Sequence, residues 1–525
     1  MRRNSKIILI MTDTQRWDMC GCYRDTGLRT PNIDRLAERG VRFERAYTAQ
    51  PVCQPARAAI FTGLYPHSCG SWSNSMGISD NAPTLGRRLS DYGVHTAYVG
   101  KWHLDGGDYF GTGKCPPGWD PDYWYDMRSY LEELSDGERL ISRNSAYMDD
   151  NDFPAELTYG RRCADKAESF LRRCGGGDFF LAVSFDEPHH PYMCPPPYSA
   201  MYSDYTFPKS PNVYDSLENK PDYQRVWAGG RQNADKSALE IRHRYYFGCN
   251  SFIDGEIGRV AEAAGRYAPD ALIIYTSDHG DFLHSHSLDG KGPAAYDEIT
   301  RIPLIFSGGG APSGVVDPNP ASHINLAPTI MEIMGFRPPR TMEGKSLAPE
   351  LADLARQAAA EKPADTERGA GRAEGRLVER ITPLRTNSHV FIEFGRYEVD
   401  HDGFGGLQLM RTVFDGRYKF TVNLLSGDEL YDLERDPYEM DNLIASPPCV
   451  DIRDSLHDAL LDHMNATRDP FRGYYWERRP WRASTRPAKW SYTSMTRQRE
   501  EEEFYEKRQL DYNTGLEMTE AVRKK

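Results

Sequence analysis

The chain has 525 residues, 39% hydrophobic and 27% charged, enough for one large globular domain plus a smaller one. Its net charge of −13 argues against a nucleic-acid partner and against attraction to a membrane surface, although one pocket of an acidic protein can still be cationic. The ten cysteines are scattered, with no paired C-x-x-C spacing, and apart from Cys53 they read as free thiols of a reducing compartment.

The start, Met1-Arg2-Arg3, mimics a secretory leader. The apolar run Ile7–Met11 is too short for one and stops at Thr12-Asp13, so Lys6–Met11 reads as a buried strand. No other run is long enough to span a membrane. The chain therefore reads as cytoplasmic as it stands, and as periplasmic or secreted if a leader was removed.

Pro31–Gly40 predicts a helix and Val41–Tyr47 a short strand. A loop carrying Cys53 leads into a helix over Arg57–Thr62. Thr84–Tyr92 reads as a helix, and Thr96–Val99 as a strand ending before Gly100-Lys101-Trp102-His103. Phe179–Phe185 and Ala271–Tyr275 are continuous apolar runs of the kind buried on both faces of a parallel sheet, and Asp254–Gly265 is helix-like. Alternating strands and helices predict an α/β fold with a mostly parallel sheet over residues 1–350. Residues 351–388 lose the pattern, are rich in charge, Gly and Ala, and read as a linker or exposed loop. Residues 389–468 predict a small subdomain, with strands at His389–Phe394, Leu409–Phe414 and Tyr418–Val422. Residues 469–525 read as an extension that wraps the core or a neighbouring subunit, a possible route to a homo-oligomer.

The polar residues of interest follow strand ends, where open parallel sheets place their sites. Asp13 follows the first strand, and Asp278-His279 follow Ala271–Tyr275. Two carboxylates and an imidazole can converge on one divalent cation, with Ca2+, Mn2+ or Mg2+ suited to oxygen donors. On spacing alone, an Asp-His pair after a strand is more often a loop cap. Lys101 and His103 are two apart and would share a face if extended. Arg57, Lys101 and Lys291 together would make a cationic pocket for an oxyanion, and neutral histidines can carry protons near pH 7.

The run Cys53-Gln54-Pro55-Ala56-Arg57, continuing to Thr62-Gly63, resembles the C-x-P-x-R signature of the type I, formylglycine-dependent sulfatases of the alkaline phosphatase superfamily. Four further ordered motifs resemble that family: Asp13, Gly100-Lys101-Trp102-His103, Pro188-His189-His190-Pro191 and Asp278-His279 with Lys291. The resemblance implies an alkaline-phosphatase-like core, with a large mixed sheet between helices and a small antiparallel C-terminal sheet. It implies that Cys53 is oxidised by a separate formylglycine-generating enzyme to 3-oxoalanine. One hydroxyl of the aldehyde hydrate attacks sulfur, and deprotonating the other expels sulfate. It further implies a divalent metal, Ca2+ by preference, held by Asp13, Asp278, His279 and the residue at position 53, with Thr14 in the place usually taken by Asp or Gln. Arg57 would stabilise the nucleophile, Lys101 and Lys291 would hold the sulfate, His103 would take a proton and His189 would protonate the leaving oxygen. His286 also fits, without a defined role.

The reading is a sulfuric ester hydrolase acting on a sulfated carbohydrate or small molecule. A phosphonate monoester or phosphodiester hydrolase with the same site, and a non-catalytic glycan-binding relative, are the alternatives. Trp72, Trp119, Trp124 and Tyr192 lie near the motifs and could stack on sugar rings or pack internally. Arg396–Gly406, with His401 and Asp402, reads as a substrate-selecting loop, with His401 binding substrate.

Overall fold

The computed structural model describes residues 4–74, 76–106, 109–149, 153–360, 377–380, 382, 384–397, 407–483 and 514–516. A ten-stranded mixed sheet forms its centre. Its strands are β1 (Lys6–Thr12), β2 (Gly40–Tyr47), β3 (His95–Gly100), β4 (Trp124–Tyr125), β5 (Phe179–Ser184), β6 (Leu272–Ser277), β7 (Arg301–Ile302), β8 (Leu304–Gly308), β9 (Val315–Ser322) and β10 (Val378–Glu379). They lie in the order β10-β9-β2-β8-β6-β1-β5-β3-β4, with β7 on β2. Strands β7 and β8 pair antiparallel with β2, and β8 pairs antiparallel with β6; the other pairings are parallel.

Apolar runs build this sheet because both of its faces are covered. Along β1, Ile8 and Ile10 enter one core while Ile7, Leu9 and Met11 enter the opposite one, as a strand's two-residue period requires. On the first side lie the helices Pro31–Glu38, Tyr159–Cys174 and Arg244–Tyr267; on the other lie Cys53–Thr62, Leu85–Asp91 and Leu326–Ile333. The helix expected at Asp254–Gly265 begins ten residues earlier, at Arg244.

A four-stranded antiparallel sheet follows, β11 (Val390–Phe394), β12 (Met410–Phe414), β13 (Tyr418–Asn423) and β14 (Glu429–Asp432), backed by the helix Val450–Ala466. Where 351–388 reads as linker, the structure continues a helix over Ala348–Ala360 and adds β10 to the large sheet, with Leu351 and Leu354 buried. Spaced three apart, those two leucines are the only strong apolar pair in an alanine-rich stretch, too weak a period to announce a helix. The described start of the extension docks on the small sheet. Trp476 is buried there, and Arg479 and the Trp481 indole both bond to Asp428.

Among the described residues, no helix is long and apolar enough to cross a membrane. None of the ten cysteines is paired with another.

Candidate active site

Parallel register brings the candidate residues level. Thr12 pairs with Ser277, Met11 with Ser184, and Gly100 with Ser184. The chain leaves β1, β6, β3 and β5 at one edge, carrying Asp13, Asp278-His279, Lys101 and Asp186. Gly100, at φ 114°, lies so close to β5 that a Cβ would strike the Ser184 carbonyl. Glycine is required there, and it delivers Lys101 to the edge.

Cys53 is not in a loop. It opens the helix Cys53–Thr62, all of whose residues are buried. Pro55 falls in the first turn, where no backbone N–H is needed, and Gly63 ends the helix in the left-handed region at φ 68°. Val52 gives no side-chain cap, so nothing in the sequence announces the start. Helical spacing sets Arg57 one turn below Cys53 on the same face.

Asp13, Cys53, Asp278 and His279 bring their ligand-type atoms within 4.8 Å of one another, all buried. The Cys53 thiol lies 3.5 Å from Asp13 Oδ1, 3.3 Å from His279 Nε2 and 2.7 Å from Lys291 Nζ. The His279 Nδ1–H donates to the Gly280 carbonyl at 2.8 Å, which turns the Nε2 lone pair toward the cluster. Thr14, at φ 63°, donates its hydroxyl to Asp13 Oδ1 at 2.7 Å and its N–H to Asp278 Oδ1 at 3.1 Å. Arg57 grips Asp13 at 3.0 Å and Asp278 at 3.1 Å, and donates to the Lys101 carbonyl and Ser184 Oγ. Lys101 Nζ pairs with Asp13 at 2.8 Å and Asp186 at 3.0 Å.

The electrostatics follow from burial and these partners. Burial favours a neutral Asp13, but Lys101, His189, Lys291 and Arg57 outweigh it and hold the carboxylate well below its ordinary range. Burial and the facing Asp13 push Asp278 up to about 7. Burial lowers His279 to about 4, so its imidazole is neutral. Burial and Asp13 raise the Cys53 thiol, yet Lys291 and Lys101 bring it down to about 7. Burial opposes the charge on Lys101, which Asp13, Tyr109 and Asp186 nonetheless keep well above the usual lysine range. Two facing carboxylates, a neutral imidazole lone pair and a hydroxyl oxygen form a donor set that suits a hard divalent cation.

His103 is buried with Nδ1 unpartnered, and burial followed by Lys101 keeps it far below the ordinary histidine value. Its backbone is left-handed at φ 52°, so an extended-chain argument does not explain why it faces the site with Lys101. His189 Nδ1 lies 2.8 Å from the His190 carbonyl and 3.0 Å from the Tyr109 hydroxyl. His190 is exposed. His286 is held by Asp215 at 2.7 Å and Asn212 at 3.2 Å and stacks on Tyr296. Trp119 and Trp124 join Tyr98 and Trp102 in an internal ring cluster, so they are packing residues. Trp72 packs on Gly395 and Phe471, and Tyr192 on Tyr246. His401 and Asp402 lie outside the described residues.

Two contributors are missing from the sequence reading. Asp186 sits beyond the end of β5 much as Asp13 does beyond β1, and that parallel was available. Tyr109 donates to Asp186 at 2.6 Å, lies 3.0 Å from His189 Nδ1, and has Lys101 Nζ 4.1 Å over its ring. Its Gly-rich loop gives no periodic signal.

The sulfatase family model matches residues 5–336. The chain is 40% identical over 521 residues to the uncharacterized sulfatase YidJ of Escherichia coli (strain K12), covering 98% of this chain and 97% of that one. Its fold is similar to that of BT4656, solved in complex with its substrate D-glucosamine-2-N,6-O-disulfate, with TM-score 0.69, 21% identity, and coverage of 90% of this chain and 99% of the other. It is also similar to the phosphonate monoester hydrolase of Agrobacterium radiobacter, with TM-score 0.66, 22% identity, and coverage of 89% and 96%.

Proposed function

This chain belongs to the sulfatase family of the alkaline phosphatase superfamily and is a sulfuric ester hydrolase; on that premise we propose that it releases sulfate from a sulfated carbohydrate, using Cys53 converted to 3-oxoalanine. The observation that carries the reading is the convergence of Asp13, Cys53, Asp278 and His279 within 4.8 Å. Arg57, Lys101 and Lys291 around it form a cationic cradle inside a chain of net charge −13.

Asp13, Asp278 and His279 would hold a divalent cation, Ca2+ by preference, with Thr14 at its edge. When bound, that cation and the aldehyde hydrate supply an oxygen nucleophile for sulfur. Arg57 fixes both carboxylates from below, so the donor geometry is set before substrate arrives. Lys101 and Lys291 bind the sulfuryl oxygens. The unpartnered Nδ1 of neutral His103 accepts a proton. With its Nδ1–H on the His190 carbonyl, His189 would deliver a proton from Nε2 to the leaving oxygen when it enters the step as imidazolium, and would be left as the neutral Nδ1–H tautomer. Tyr109 braces Asp186 and His189 together.

Two measurements test the reading. Mass analysis of the peptide carrying Cys53, from the native host or with the maturation enzyme co-expressed, should show the thiol replaced by an aldehyde. The matured protein should then turn over an aryl sulfate faster than an aryl phosphonate, and a defined sulfated monosaccharide should outcompete both. Unmodified cysteine under those conditions, or faster phosphonate turnover, overturns it.

A further inference from the structure

A cleft of about 580 Å³ opens where the chain after the Cys53–Thr62 helix meets β11 and the helix Val450–Ala466. None of the residues gathered around Cys53 lines it. Its walls carry Arg88, Arg340, Lys345 and Arg468 against one carboxylate, Glu343. That carboxylate is already engaged, accepting from Tyr65 N–H at 2.8 Å and Ser68 Oγ at 2.6 Å. Two buried polar atoms in the lining have no hydrogen-bond partner: Nε of Arg88 and Nε2 of His463. A buried polar atom left unsatisfied costs about 1–3 kcal/mol; Arg88 Nε–H asks for an oxygen acceptor, and the neutral His463 Nε2 for a hydrogen-bonding partner.

The cations arrive from three separate stretches of chain: the Leu85–Asp91 helix, the 340–345 loop and the residues after the Val450–Ala466 helix. A cleft of this size suits an organic ligand, since such pockets run to about 300–1,000 Å³. We propose that it is a second binding site, separate from the reacting cluster, for an oligosaccharide carrying more than one sulfate or carboxylate group. The saccharide part of that assignment rests on the sulfated-carbohydrate reading above; the anion site does not. A second site of this kind would hold a long substrate by a part that is not being cleaved, raising its local concentration at the reacting cluster.

Arg340 and Lys345 are exposed, so reversing them should leave the fold intact, with urea midpoints as the check. Calorimetry with sucrose octasulfate as the probe should show about tenfold weaker binding in the R340E/K345E variant. Binding to the unaltered protein should weaken with added salt. Turnover of 4-nitrophenyl sulfate should be the same in both. Equal probe affinity in the variant overturns the proposal. So does probe binding that vanishes once a small sulfate ester saturates the reacting cluster. Inorganic sulfate binding as tightly as the octasulfate would overturn the saccharide assignment. A protein inactive on every sulfate ester that still binds the probe in a variant-sensitive way supports this site and removes only the reading of the previous section.

Discussion

Two buried clusters in this chain look alike by composition and differ in physics. Asp13, Cys53, Asp278 and His279 place ligand-type atoms within 4.8 Å of one another, and so do His67, Glu393 and Asp469. In the second cluster each charge has an opposite partner. His67 Nδ1 bonds to Glu393 Oε1, while Arg411 holds Asp469 through two nitrogens at 2.6 and 3.1 Å. Despite burial, Glu393 and Asp469 are held below the usual carboxylate range by these cations, and His67 and Arg411 are held above theirs. That arrangement is a closed ion-pair joint between the short helix Pro66–Cys69, which carries His67, and the small sheet, which carries Glu393 and Arg411. In the first cluster Asp278 is pushed up to about 7 by burial and Asp13, and the imidazole of His279 offers a lone pair. Both clusters have cationic partners, Arg57 and Lys101 in the first and Arg411 in the second, so neither nearness nor pairing separates them; the raised Asp278 and the neutral His279 do.

Replacing Cys53 gives the sharpest contrast. Cys53→Ala should lower kcat for an aryl sulfate by about 10⁴-fold or more, with the urea midpoint nearly unchanged. Arg411→Ala should do the reverse. It leaves Asp469 buried without its cation and should cost about 3–5 kcal/mol in urea unfolding. The folded fraction should keep its kcat/KM. A large loss of turnover in folded Arg411→Ala protein would show that the joint is part of the reacting machinery.

Cation binding is the next discriminator. A cation that binds only the folded state at a hundred times its Kd should add about 2.7 kcal/mol to stability. Calcium titration followed by thermal melting should therefore raise the Tm of the wild type and of Glu393→Gln, but not of Asp13→Asn. A calcium response lost in Glu393→Gln and kept in Asp13→Asn would exchange the roles of the two clusters.

Much of the large sheet was legible because buried parallel strands are written as continuous apolar runs. Phe179–Ser184 and Leu272–Ser277 are bounded within a residue or two of where the sequence sets them. The candidate site was legible where it rides on those strand ends, as with Asp13, Lys101, Asp278 and His279. It was obscure where position comes from tertiary packing. The start of the helix at Cys53 has no cap residue, the left-handed turn at His103 has no glycine to mark it, and Tyr109 lies in a loop. The joint was invisible because His67, Glu393, Arg411 and Asp469 are far apart in the chain, and each looks like an ordinary surface charge.

The smallest effect concerns the pH behaviour of that joint. His67 has its pKa raised in the folded protein because, against burial, Glu393 favours the imidazolium. A raised folded value means that the contribution is fully present below the unfolded histidine pKa of about 6.5 and is lost as pH rises through the folded value. Glu393 has the opposite sign. Its folded value is lowered, so its contribution is present above about 4.3 and is lost as pH falls through the folded value. The joint should therefore stabilise most between those limits and weaken on the alkaline side first near physiological pH. Urea midpoints measured from pH 6 to pH 9 should fall for the wild type and fall less for His67→Gln, which cannot lose a proton. Parallel curves for the two proteins would mean that His67 is neutral in the folded state, and that Glu393 is balanced by Arg411 alone.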